Sequence, residues 1–177
     1  MVDSPEPLAS WRVRPMTAYR TGRIEDALTG AHVADCMIAE ATDEDLARSL
    51  DAIVWACFAE TAMGRYSFAL RHFTRAIGVA RTSGPTYVLT ELLAGYAQAL
   101  TLLGRLSEAL AVTAECVEKA RTCGSGPQRV MALAQRCLAA SWSGDHRTAL
   151  LAGEASAPRT MPWSSASITR ITRTPPL

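Results

Sequence analysis

The chain has 177 residues, 49% of them apolar, and a formal net charge of +1. That apolar content is enough to bury a core, which excludes a disordered chain, and near-cancelling charge excludes a global field drawing it to nucleic acid or an anionic membrane. The N-terminus lacks the basic start and apolar stretch of a secretory leader, no apolar run reaches membrane-spanning length, and Cys36, Cys57, Cys116, Cys123 and Cys137 form no C-x-x-C pair, so a cytoplasmic protein with buried free thiols is expected.

In chain order, residues 1–15 are expected to be a flexible segment, and Pro15 to interrupt the first helix and leave its unit a partial cap. From there a heptamer of the form G-x-x-x-x-A-L recurs: GRIEDAL from Gly22, GRYSFAL from Gly64, GRLSEAL from Gly104 and GDHRTAL from Gly144. The glycines are 42, 40 and 40 residues apart, a phase that chance does not keep over four copies, and it marks a repeat architecture. Glycine suits the left-handed turn that ends one helix and opens the next. The alanine five residues later lets the two helices approach closely.

Helical periodicity flanks these turns. Helices are expected over 46–63 and 66–81, over 87–103 and 106–121, and over 130–143 and a shorter 146–155, making about eight with the first unit. Thr42 followed by Asp43, Glu44 and Asp45 reads as an N-cap with acids in the first turn. Ser83-Gly84-Pro85 and Ser125-Gly126-Pro127 separate the later units. The second of these falls two residues later in the repeat, so the helix ending at Ser143 is expected to be shorter than its predecessor. After residue 156 the periodicity vanishes into a Ser/Thr/Pro/Arg-rich stretch with no acid beyond Glu154, and 157–177 is expected to be a disordered or non-native tail, left by a change of reading frame near residue 155.

Residues 16–156 resemble the tetratricopeptide repeat. Gly64, Arg65 and Tyr66 with Ala69, Phe73 and Ala76 match the family pattern, and small residues Cys57, Ala97 and Cys137 sit at its first-helix position. The copy at Gly104, Ala109 and Leu110 departs, with Thr113 and Cys116 in place of the aromatic and the second alanine. The period of about 40 and the wording LGRLSEALA from Leu103 are most similar to the degenerate repeats of large ATP-dependent LuxR-type transcriptional regulators. The resemblance implies an all-α, right-handed superhelical array of antiparallel hairpins that senses a partner or effector. The phosphate-binding loop and helix-turn-helix that flank such repeats in that family have no counterpart in these residues, so a fragment or truncated relative is expected.

The resemblance also implies that recognition falls on the first helix of each hairpin. Carrying the family's groove positions across gives Asp51, Val54, Phe58 and Thr61, then Glu91, Gln98 and Thr101, then Met131, Leu138, Ser141 and Trp142. Acids, an amide, hydroxyls and bulky apolar groups suit a peptide or an amphipathic helix, with a small-molecule effector as a second option and inter-helix packing as the plain alternative for Phe58, Leu138 and Trp142. The basic clamp with which chaperone-binding members hold a carboxylate is missing.

Signals of chemistry are thin. His32 and Cys36 share a helix face but are two ligands where zinc needs more, so a packed face is the stronger reading. His72 between Arg71 and Arg75 reads as a solvated basic stripe rather than a site for an anionic partner, and Gly124-Ser125-Gly126 as turn chemistry rather than an anion cradle. No nucleophile elbow or H-E-x-x-H motif occurs. The expected protein is a non-catalytic interaction module without cofactor or metal, and without contact to nucleic acid or membrane. The competing expectation is a scaffold that self-associates through an exposed terminal hairpin around Leu150 and Leu151.

Overall fold

The computed structural model describes residues 14–83 and 85–157. Most of the expected N-terminal segment, the tail beyond 157 and Gly84 lie outside them. Among the described residues the fold is entirely helical: α1 (Arg14–Arg20), α2 (Ile24–Glu40), α3 (Asp43–Arg48), α4 (Leu50–Ala62), α5 (Tyr66–Ser83), α6 (Thr86–Leu102), α7 (Leu106–Cys123), α8 (Gly126–Ser143) and α9 (His146–Ser156).

Each hairpin turns on its glycine. Gly22, Gly64, Gly104 and Gly144 have φ of 77°, 76°, 75° and 80°, where a side chain costs energy. The bonds around them repeat as well: the amide after the glycine reaches back five residues, as Arg65 N does to Glu60 O (2.8 Å) and Arg105 N to Leu100 O (2.9 Å), and the glycine amide reaches back three. This is the Schellman pattern, and it satisfies carbonyls that the helix end would leave open. Ala27, Ala69 and Ala109 are fully buried just inside the second helices.

α1, α4, α6 and α8 pack one on the next, so the first helices form a continuous layer. Each is also packed on the helix after its turn, and α2, α5 and α7 each pack on the following first helix. α2, α5 and α7 are thus each wedged between two first helices, while α9 packs on α8. The outer connections are polar: Arg71 on α5 pairs with Asp35 on α2 and Arg81 on α5 with Glu115 on α7, both at 2.9 Å. The core runs from Ala34 and Ile38 through Leu46, Ile53, Phe73, Leu92 and Leu93 to Ala120 and Ala132. At its centre the fully buried Phe73 meets Phe58 edge-on (centroids 6.1 Å) and Tyr96 at 6.3 Å.

The helix count and several boundaries differ from the sequence expectation. The helix expected over 46–63 is two, α3 and α4, divided at Ser49, whose φ of −125° and ψ of 20° leave the helical region. The extra two residues of the first glycine spacing are taken up there. α8 is not shortened: with Ser125 as N-cap, accepting from Gln128 N, Gly126 and Pro127 enter its first turn, where proline is tolerated. In α6 Pro85 is itself the N-cap. Both helices therefore start 18 residues before their turn glycine. Pro15 lies in the first turn of α1 as described, buried, with Cγ where a Cβ on Gly30 would come within 3.2 Å.

Gly95 has a different duty from the turn glycines. A Cβ there would lie 2.4 Å from Phe73 Cζ and 3.1 Å from Phe58 Cζ, whereas one on Gly104 meets nothing within 4 Å. Gly95→Ala is expected to destabilise the fold by about 1–3 kcal/mol through overpacking, against a helix-propensity gain of about 1 kcal/mol. Gly104→Ala is expected to cost about 1–2 kcal/mol through backbone conformation alone. Urea unfolding measures both, and Phe73→Leu should relieve the first and leave the second unchanged.

Candidate functional site

The repeat places equivalent residues side by side across the layer of first helices: Asp51, Glu91 and Met131; Trp55, Gly95 and Gln135; Phe58, Gln98 and Leu138; Ala62, Leu102 and Trp142. Three groove positions carried over from the family do not belong to the surface. Val54, Thr61 and Thr101 are 3%, 4% and 0% exposed. The Thr61 and Thr101 hydroxyls donate to the carbonyls of Cys57 and Ala97, four residues back and 2.8 Å away, satisfying themselves within the core. Ser141 makes the same bond to Cys137 O but is exposed.

The other positions line an accessible face. Asp51, Phe58, Glu91, Gln98, Met131 and Leu138 are half-buried, and Trp142 is 54% exposed, which removes the packing alternative for it. Two large residues that sequence reasoning passed over join them, Trp55 at 42% and Tyr87 at 46%. Their signal was helical spacing: Trp55 follows Asp51 by four residues and Tyr87 precedes Glu91 by four, so each shares a face with an acid. The Tyr87 hydroxyl donates to Asp51 Oδ1 at 3.4 Å. Beneath, Gln128 is buried at a position where α6 carries Val88, and its Nε2 donates to Tyr87 O at 3.1 Å. Burial pushes the Glu91 carboxyl above the ordinary range, a hydrogen bond with the Gln128 side chain partly offsets this, and the charge of Asp51 pushes it up further.

Arg71 of the basic stripe is exposed, but His72 is not on a solvated face. His72 is 4% exposed, with Nδ1 2.9 Å from Glu60 Oε2 and Nε2 2.9 Å from Asp35 Oδ1, so one imidazole joins α4, α5 and α2. Arg71 also reaches Asp35, while Arg75 donates to the Ile38 and Ala41 carbonyls at the end of α2 and to Asp43. A pocket of about 600 Å³ lined by Arg71, Arg75 and Arg105 therefore offers cations that already hold acceptors, Arg105 through Glu108. The register carried a clue: Glu60 and His72 stand where the next unit has Leu100 and Val112 and the last has Ala140 and Ala152. Polar residues at core positions need each other.

His32 and Cys36 lie on solvent rather than on a packed face, 4.0 Å apart, and among the described residues no group of three or more ligating side chains could hold a metal. The thiols are all free, but only Cys57 and Cys116 are buried. Burial, reinforced by the charge of Glu115, pushes Cys116 up to about 12, and burial with Glu60 raises Cys57. Neither is a nucleophile. Gly124 caps α7 in the left-handed region at φ 66°, in keeping with turn chemistry. No described helix is long and apolar enough to cross a membrane.

No family model, no curated protein and no solved structure matches this chain. The Glu60–His72 pair is expected to behave as a structural lock. His72→Val alone should cost about 3–5 kcal/mol by leaving a buried carboxylate without its partner, and Glu60→Leu added to it should recover most of the loss, giving a strongly non-additive cycle in urea unfolding.

Proposed function

We propose that this protein is a non-catalytic interaction module that binds a peptide segment of a partner on its layer of first helices. The observation that carries this reading is the set of large apolar side chains left open there, Trp55, Tyr87 and Trp142, among half-buried Phe58, Met131 and Leu138. Aromatic residues on a rigid helical face, bordered by acids and an amide, have the composition of an interaction surface. The wording of the repeats, similar to those of LuxR-type transcriptional regulators, supports a place as the sensing segment of such a regulator.

Random dodecapeptides displayed on phage and selected on the immobilised full chain test the surface. Selected peptides are expected to bind Trp55→Ala/Trp142→Ala about tenfold or more weakly, with the circular dichroism and unfolding midpoint of the variant preserved, because both side chains are largely in solvent. Equal binding by the folded double variant counts decisively against this face.

A second reading rests on the last hairpin. Leu150 and Leu151 are 68% and 59% exposed, whereas Leu70 and Leu110, at the positions equivalent to Leu150, are half-buried under the following unit. Beside them lies a pocket of about 430 Å³ lined by Cys137, Ser141, Ala149, Leu150 and Gly153. Self-association through this end predicts a mass that rises with concentration in size-exclusion chromatography with light scattering and returns to the monomer in Leu150→Glu. A monomer at all concentrations removes the second reading.

A further inference from the structure

The α4 and α6 half of the first-helix face is chemically particular. Asp51 and Glu91 occupy equivalent positions on two packed helices, with Trp55 one turn beyond the first acid and Tyr87 one turn before the second. Gln128 lies against both Tyr87 and Glu91, and its amide orientation is fixed because the Tyr87 carbonyl and the Glu91 carboxylate are both acceptors facing its NH2 group. Its Oε1 is left buried without a hydrogen-bond partner. Glu91 is in no ion pair among the described residues, although Arg71, Arg75, Arg81 and Arg121 of the second helices are each paired with an acid. Two carboxylates thus share this face with two exposed aromatic rings, above a buried amide.

We propose that the partner segment bound on this face presents an arginine side chain, which enters between Asp51 and Glu91 and is flanked by Trp55 and Tyr87. A guanidinium is planar and carries five N–H donors, so it can answer several acceptors at once and lie against an aromatic ring, which a lysine ammonium does less well. Its charge also relieves the repulsion between the two acids and favours the ionised form of Glu91, against the burial that now opposes it. The inference rests on the reading of this face as the partner surface.

The selected dodecapeptides test it. Arginine is expected to be enriched among them, and in synthetic copies arginine to lysine should weaken binding several-fold and arginine to glutamine about tenfold or more. Glu91→Lys should abolish binding of these peptides, and Glu91→Gln, close in shape and chosen to keep the fold, should weaken it about tenfold. Peptides without arginine enrichment that bind Glu91→Gln as well as the parent, yet lose affinity for Trp55→Ala/Trp142→Ala, overturn the arginine assignment and leave the surface standing. Peptides indifferent to both changes, or a selection that yields none, overturn both.

Discussion

The constraint on which the structure depends is a backbone one: four glycines held at positive φ, each closing a helix and reversing the chain within two residues. A helix end leaves carbonyls without partners, and the Schellman bonds around Gly22, Gly64, Gly104 and Gly144 supply them without any side chain. Because the turn geometry is the same each time, the chain reverses in the same way in every hairpin. The alanine five residues on is then carried into the contact between them. Packing of hairpin on hairpin follows from that repetition, and side chains at equivalent register come to lie in rows.

Within this regular frame the interior is not uniform. Phe73 fills the centre of the second and third hairpins, and its equivalents are Thr113 and Gly153. Core volume therefore shrinks toward the last hairpin, where a smaller cluster of Leu100, Ala109 and Ala139 takes over. Gly95 is the counterpart of that large ring: it gives up its side chain so that Phe73 and Phe58 can rest on the backbone of α6. Trp55, at the equivalent position of the preceding unit, is turned to solvent. The same register position thus serves packing in one unit and surface in its neighbour.

Much of the fold was legible because it rests on local signals. Turn glycines, the small residue after them and helical periodicity located the hairpins to within a few residues, since each is dictated by nearby backbone geometry. What local reasoning missed depended on neighbours far along the chain. The break at Ser49 absorbs a length difference between units, and the hydroxyls of Thr61 and Thr101 face inward because carbonyls four residues back accept them. His72 looked like part of a basic stripe because its acids, Asp35 and Glu60, come from two other helices. On the candidate surface the acids were recognised and the aromatic residues one turn away were not, because family positions were followed and helical spacing was not.

The buried Glu60–His72 pair also bears on how a repeating chain finds its own alignment. Units of one length and one turn geometry invite stacking out of order, since a hairpin displaced by a whole unit meets a surface of nearly the same shape. Here the mating surfaces between the first two hairpins carry a code: Asp35 on one side answers His72 on the other, which Glu60 holds in place. Moved along by one unit, Asp35 would face Leu100 and Val112 and lose its hydrogen bonds in an apolar setting. The first hairpin is thereby addressed to the second, and shape alone would not have told it where to go.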